Sequence, residues 1–467
     1  MDSSISLTFD SRNLPPPWPE PLRELNRSRL QNSSKSKLIV LDDDPTGTQT
    51  VYDVPVLTDW SVEQLTSAFV DDSSCFYVLT NSRALPEAEA RTLTKIVAEN
   101  LRTAADGRPY HLVSRSDSTL RGHFPLETDV LNDTLGPFDA TLIIPCFEAG
   151  GRCTIEGVHY IHQEGRLIPV AETPFARDRV FGYTHSDLPQ WVQEKSQGRL
   201  LAKDVDVIRL DTIRRLGPKG VANQLRNTSP KKLVVSDAVI TEDLDVVVSA
   251  MQELESEGCR FLVRSAADYV AARLALSTKP LLTAEQLIVP QKTGGLIVAG
   301  SYVPATTAQL EVLKQEPRIA FIELSVSELL NQSLRDRVIS ETSNQVAQKI
   351  DAGTNVLLAT SRELIQGRDP DDSLRIGRTV SESLIQIVRQ LPIPPKFLIA
   401  KGGITSSDIA TKALAVRRAT VLGQLVPGVS VWRLGPESRF PQLPYIIFPG
   451  NVGDSNALLD AFRILDS

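Results

Sequence analysis

The stretch Ser114-Arg115-Ser116-Asp117-Ser118-Thr119-Leu120-Arg121-Gly122-His123-Phe124 gathers the groups that handle a small organic anion. Arg115 and Arg121 bracket Asp117, Ser118 and Thr119, which supplies two guanidinium forks for an oxyanion, one potential base and two hydroxyls. A turn with a solvated salt bridge and a helix cap would use the same residue types. The apolar run His111, Leu112, Val113 before it reads as a short buried strand, and Leu126, Val130 and Leu131 after it carry helical spacing. The polar residues therefore fall where a strand ends and a helix begins. Ligands of open α/β sheets collect outside the carboxyl ends of strands, and a helix N-terminus adds backbone N–H groups that favour an anion.

Three more clusters share that placement. Asp42, Asp43 and Asp44, with Pro45, Thr46, Gly47 and Thr48, follow the first strand. Adjacent carboxylates repel unless a cation, a basic side chain or water offsets them, so the cluster offers a base or a Mg²⁺ ligand, or it caps a turn. Asn81, Ser82 and Arg83 follow the second strand. Pro145 to Tyr160 reads as a glycine-rich surface loop in which Arg152 reaches a carboxylate or phosphate, with Glu148, Gly150, Gly151, Thr154, Glu156, Gly157 and His159 around it. His159 and His162 have no carboxylate or cysteine at metal-site spacing, so they read as packing or hydrogen-bonding residues and no protein metal site is assigned.

Later in the chain, glycine turns end three strands: Ala299-Gly300-Ser301, Lys401-Gly402-Gly403-Ile404-Thr405, and Gly450-Asn451-Val452-Gly453-Asp454. Thr405 and Asp408 have capping-box spacing, and a final helix runs through Leu458, Leu459 and Phe462. Backbone N–H groups at such turns can meet a nucleotide's phosphates. A Walker A loop is excluded because no Gly-Lys pair occurs, and the Gly-x-Gly-x-x-Gly dinucleotide fingerprint is missing, which argues against an oxidoreductase.

The elements that must hold these clusters alternate along the chain. Apolar runs at 38–41, 76–79, 111–113, 141–144, 205–210, 233–235 and 261–263, with helical patterns such as 86–101 and 241–257 between them, predict a parallel sheet covered on both faces. A second alternation begins at 296–299 and continues through 320–324, 356–359 and 397–400. The fold class is therefore α/β, with two domains, each a mostly parallel sheet flanked by helices, and a cleft between them. The boundaries fall at a polar, proline-rich arm over 1–37, a first domain over 38–280, a linker over 281–294 and a second domain over 295–467. The arm is too poor in periodic apolar residues to supply a core element, though Trp18 and Leu22 offer it two anchors.

Composition narrows the partners. The chain has 467 residues, 41% of them hydrophobic, and a net charge of -7 with acids and bases interspersed, so no electrostatic footprint for nucleic acid or anionic membrane is present. Four cysteines without Cys-x-x-Cys spacing fit a reducing compartment. No apolar run approaches the roughly 20 residues of a spanning helix, and no signal peptide is indicated. Small-molecule partners in the cytoplasm are expected, and homo-oligomerisation stays open.

The same residues resemble the four-carbon acid sugar kinases, over nearly the whole chain after the arm. Asp117-Ser118-Thr119-Leu120-Arg121-Gly122 carries most of the likeness, supported by Asp43-Asp44 with Thr46-Gly47, Gly151-Arg152 with Gly157 and His159, and Ala171-Glu172-Thr173 with Phe175-Ala176. Gly300-Ser301, Gly402-Gly403-Ile404-Thr405 and Gly450-Asn451 with Gly453 look like the family's nucleotide-binding positions. The resemblance implies ATP-dependent phosphorylation of a tetronate such as threonate, erythronate or 3-oxo-tetronate, with Mg²⁺ bridging the phosphates. Asp117 or Asp43 would take the hydroxyl proton. Arg115 and Arg121 would grip the carboxylate or the transferring phosphoryl group. Asp44, Asn81, Arg83, Ser118, Thr119, Arg152 and His159 would complete the acid's pocket, and Ser301, Gly402, Gly403, Ile404, Thr405, Gly450 and Asn451 the nucleotide's. The chain departs from the family pattern at Arg115, where lysine is usual, at His123, where asparagine is usual, and at Thr50, where a carboxylate is frequent, which points to a substrate pocket of its own. A sensor that binds the acid without turnover would keep the same motifs.

Overall fold

The computed structural model describes residues 7–8, 14–32, 36–228, 232–287, 291–300, 303–362 and 370–467. The chain divides into two compact units, Met1–Val51 with Asp59–Thr278, and Tyr52–Thr58 with Lys279–Ser467.

Seven parallel strands carry the first unit. They lie in the order Asp206–Ile208, Lys232–Ser236, Ala140–Ile144, Phe261–Ser265, Tyr110–Arg115, Lys37–Asp42 and Cys75–Leu79. Their unbroken apolar runs are those of strands covered on both faces: Leu38, Ile39, Val40, Phe76, Val78, Leu142 and Val263 are all buried. Helices such as Glu87–Ala105 and Thr241–Ser256 make the crossovers. This order sets the carboxyl ends of Phe261–Ser265, Tyr110–Arg115, Lys37–Asp42 and Cys75–Leu79 side by side, so the loops leaving them share one edge of the sheet.

Three expectations for this unit change. The helix after the central motif starts at Leu126, so Asp117 to Arg121 lie in irregular chain several residues before it and draw nothing from its N-terminus. The glycine-rich segment is not a loop but an antiparallel sheet of Arg152–Ile155, Val158–Gln163 and Arg166–Pro169, to whose edge Leu7–Thr8 adds. Its first turn is made by Glu156 and Gly157, both at positive φ (53° and 80°). The N-terminal arm carries a helix, Arg23–Asn32, docked by polar contacts: Arg23 donates to Asp245 at 2.9 Å and buried Asn26 to the Asp245 carbonyl at 3.0 Å. Polar anchors explain why apolar periodicity gave no sign of it. Leu22 is buried, and a Cβ on Gly217 would lie 2.5 Å from the Trp18 ring, so both arm anchors meet the body.

The second unit is a mixed sheet in the order Val54–Leu57, Arg418–Val426, Val429–Leu434, Pro444–Phe448, Leu398–Lys401, Leu296–Ala299, Asn355–Thr360 and Ile319–Leu324. Its first four strands are joined antiparallel, and the run from Pro444–Phe448 onward is parallel. The core joins Ile297, Leu357, Ile399, Val431 and Phe448 to Leu458 and Phe462 of the closing helix, Ala457–Leu465. The segment expected to be a linker holds a short helix, Ala284–Leu287, whose Leu287 is buried in this core.

Arg214, 5% exposed, pairs through Nε and Nη2 with the two oxygens of Asp243 at 2.7 and 2.8 Å and donates to the Pro15 carbonyl at 2.8 Å. Removing the cation strands a buried carboxylate, so Arg214→Met should cost about 3–5 kcal/mol, read as a lowered urea midpoint.

Candidate functional site

Three consecutive loops of the first unit meet at the shared edge, and charge ties them together. Arg83, in the turn after Cys75–Leu79, places Nη2 2.6 Å from Asp44 and 3.5 Å from Asp43, and Nη1 3.5 Å from Asp117. Behind it Arg115 pairs with Asp42 at 3.0 Å and Asp43 at 3.5 Å. The repulsion expected among Asp42, Asp43 and Asp44 is thus offset by two arginines. Close approach of the backbone is built in as well. A Cβ on Gly47 would fall 2.2 Å from an Asp42 oxygen, and Gly122, at φ 122°, would bring one to 3.0 Å from Asp43 and 3.4 Å from Arg264.

The four aspartates divide by environment. Burial opposes ionisation of Asp117, but Arg121 at 2.7 Å and Arg83 outweigh it and hold the carboxyl well below the usual carboxylate range. Asp44 is likewise held low, since Arg83 and the Thr46 hydroxyl and amide overcome its burial. Burial wins at the other two. Asp42 is pushed up to about 7, with Asp43 and Asp44 adding to the effect and Arg115 opposing it, and Asp43 is pushed up to about 6 against Arg83 and Arg115. Both Asp43 oxygens are sealed from solvent and accept no hydrogen bond.

Solvent reaches Asp44, Asn81, Arg83, Asp117, Ser118, Arg121 and Arg152, all half-buried. Arg121 and Arg152 both lie over the Phe175 ring, their guanidinium carbons 5.1 and 5.8 Å from its centroid. Arg121 is neutralised by Asp117, whereas Arg152 has no carboxylate within ion-pair distance among the described residues and donates to the Gly150 carbonyl.

Three residues expected to touch substrate sit beneath the surface instead. Arg115 is 5% exposed and serves Asp42 and Asp43. His159 is fully buried and pushed down to about 4 by burial, so its ring is neutral. Its Nε2 donates to the Ser118 carbonyl at 2.8 Å while Nδ1 accepts from Thr154, which props the motif from below. Thr119 is also buried, its hydroxyl on Asp117 and its carbonyl taken by Tyr183 at 2.7 Å. Sequence reasoning missed Arg264 and Glu127, an ion pair at 3.7 Å below the motif, and the roles of Phe175 and Asp178. A lone arginine inside the buried run Phe261–Ser265 was the available signal.

The second unit gathers its glycine turns at the carboxyl ends of its parallel strands. A Cβ on Gly300 would come 2.9 Å from Thr405 Oγ1, so the two turns touch; Ser301 lies outside the described residues. Gly402, at φ 110°, caps the helix Gly403–Asp408, which places Thr405 within the helix rather than in a capping box; Asp408 pairs with Lys412 at 2.7 Å and accepts from Ser381. Helix geometry leaves the amides of Gly403, Ile404 and Thr405 without partners in the helix. Gly450 and Asn451 lie in a loop that precedes the closing helix by several residues. Arg362, unnoticed in the sequence, donates to Thr307 at 2.6 Å at the same end of the sheet.

A parallel α/β unit whose edge gathers arginines and aspartates is followed by a mixed one with clustered glycine turns. Residues 38–273 match the sugar-binding N-terminal domain and residues 296–458 the nucleotide-binding C-terminal domain that together make up the four-carbon acid sugar kinase family. The chain belongs to that family. It is 26% identical over 403 residues to a D-erythronate kinase of Heliobacterium modesticaldum, covering 81% of this chain and 84% of the relative. A 3-oxo-tetronate kinase of Brucella melitensis is 26% identical over 334 residues, 68% of this chain and 70% of its own, and a D-threonate kinase of Bordetella bronchiseptica is 34% identical over 127 residues, 27% and 30%. Solved structures from Salmonella typhimurium LT2 (TM-score 0.68, 16% identity, 91% of this chain and 99% of that one) and Haemophilus influenzae (0.64, 18%, 91% and 100%) share the fold. No helix among the described residues is long and apolar enough to cross a membrane.

The raised carboxylates carry a stability consequence. Asp42 and Asp43 bind protons more tightly folded than unfolded, so their contribution is most favourable below about pH 4 and is lost as pH rises through about 6 to 7. Asp43→Asn should therefore stabilise the protein at pH 8 by about 1–3 kcal/mol, with the gain fading towards about pH 4, as followed by thermal melting across pH.

Proposed function

We propose that this protein is an ATP-dependent kinase that phosphorylates a hydroxyl of a four-carbon sugar acid, with the acid held by the first unit and Mg²⁺·ATP by the second. The observation that carries the reading is the uncompensated guanidinium of Arg152, set beside Arg121 over Phe175 and next to an array of hydrogen-bonding groups. A small acid supplies the missing carboxylate, and its hydroxyls find Asp44, Asn81, Arg83 and Ser118 within the same edge.

Asp117 receives the hydroxyl proton. Of the two candidates it alone is open to solvent, since both Asp43 oxygens are sealed. Reach decides the role before basicity does. A weakly basic carboxylate suffices where the transferring phosphoryl group is loosely bonded and most of the catalysis is positioning and charge neutralisation. Thr119, Arg121 and Arg83 fix the Asp117 carboxylate, while Arg115 and His159 hold the loops from beneath. Mg²⁺ would be carried by the nucleotide and would supply charge neutralisation at its phosphates. On the second unit, Gly403, Ile404, Thr405, Gly450 and Asn451 offer backbone N–H groups to those phosphates, Gly402 shapes the turn while its own N–H donates to the Phe448 carbonyl at 2.8 Å, and Arg362 adds a cation.

ADP release measured over D-erythronate, D-threonate and a 3-oxo-tetronate should reveal turnover with at least one, and Asp117→Asn should lower it by about 10²–10⁴-fold while the fold is kept. Consumption of none, alongside tight binding of an acid, would make the protein a sensor. With Mg²⁺·ATP saturating, kcat/KM for the acid should stay level from about pH 5.5 to 8. An acid limb near pH 6 would transfer the base role to Asp43.

A further inference from the structure

The loop Pro449–Asp454 of the second unit is held almost entirely through its carbonyl oxygens. Lys401 Nζ donates to the carbonyls of Pro449 at 2.6 Å and Gly450 at 3.3 Å. Thr306 Oγ1 takes the second lone pair of Gly450 at 3.1 Å. Gln309 Nε2 faces the carbonyls of Val452, Gly453 and Asp454 at 2.9, 3.3 and 2.8 Å. By contrast, the amides of Gly450, Asn451, Val452, Gly453 and Asp454 donate to no acceptor among the described residues, and Asn451, Gly453 and Asp454 are exposed. A loop whose oxygens are mostly drawn inward leaves its N–H groups to face outward.

Lys401 is unusual in this setting. It ends the strand Leu398–Lys401, is 0% exposed, has no carboxylate partner among the described residues and places Nζ 4.2 Å from the centre of the Phe448 ring. Burying an ammonium without a counterion is costly, and burial alone pushes it down to about 7. A methionine would fill the same space at no such cost, so the cation needs a reason other than packing.

We propose that Lys401 is a positioning residue that, with Gln309 and Thr306, clamps the carbonyls of the 449–454 loop so that its amides face the nucleotide's phosphates. The inference rests on the nucleotide reading given above. Lys401 itself touches no phosphate, because two of its donors go to Pro449 and Gly450, the Phe448 ring covers it and its ammonium is enclosed. It acts through the loop, and in its protonated form the charge behind the peptide dipoles strengthens their pull on an anion.

Titration calorimetry of the full-length protein with Mg²⁺·ATP, with inorganic triphosphate and with D-erythronate tests this. Lys401→Met should weaken ATP and triphosphate by about tenfold or more while D-erythronate binding stays within about twofold, and the kinetic counterpart is a raised KM for ATP with an unchanged KM for the acid. Gln309→Leu, which releases the far half of the loop without removing a charge, should show the same split to a lesser degree and keeps the test valid should Lys401→Met fail to fold. Unchanged ATP and triphosphate affinity in a folded Lys401→Met or Gln309→Leu protein overturns the clamp while leaving the nucleotide reading intact. Absence of ATP and triphosphate binding by the wild-type protein overturns both.

Discussion

The first unit's site depends on one guanidinium. Arg83 reaches Asp43 and Asp44 on one loop and Asp117 on another, while its own backbone N–H donates to the Asp43 carbonyl at 3.3 Å. Without a cation there, the charges of the Asp42–Asp44 run and of Asp117 would drive the loops apart. With it, like charges become the means of holding three loops in register at the ends of adjacent strands. Arg115 repeats the device one layer deeper, and the neutral His159 ring fixes the Ser118 carbonyl of the motif.

This layering separates support from contact. Residues beneath the surface serve as support: Arg115 pairs with Asp42 and Asp43, Thr119 bonds Asp117 and Tyr183, and His159 bonds Ser118 and Thr154, while the half-buried ones above keep some capacity for a ligand. The cost is visible in Asp42 and Asp43, whose burial raises them into the range of about 7 and about 6. Retaining two such carboxylates makes sense only if the geometry they impose on Arg83 and Arg115 matters to function. The second unit uses the same logic with opposite sign, an enclosed lysine holding carbonyls so that amides are presented outward.

Much of this architecture could be read from the sequence because its parallel strands are buried on both faces and appear as unbroken apolar runs. Leu38–Leu41 and Leu296–Ala299 are examples, and the polar residues straight after them mark the ligand-binding edge. What escaped had a different physical basis. The Arg152–Ile155 and Val158–Gln163 hairpin packs one face only, and its glycines read as loop. The strands Arg418–Val426 and Val429–Leu434 carried a legible sign, a Pro427-Gly428 turn between valine-rich runs, that went unused. The arm helix is held by arginine and asparagine hydrogen bonds that leave no periodicity. Within the site, residue types were legible but depth was not: nothing local to Arg115 or His159 says that each faces inward, because burial is fixed by strand order and by a sheet formed elsewhere in the chain.

The central claim, that Arg83 organises the loop edge of the first unit, is most directly tested by Arg83→Met, followed by thermal melting and by ADP release with D-erythronate and D-threonate. The account predicts a stability loss of about 3–5 kcal/mol at pH 7.5, shrinking as carboxylates are protonated towards about pH 4, together with loss of turnover. An Arg83→Met protein that melts within about 2 °C of wild type and turns over an acid at a similar rate would contradict it.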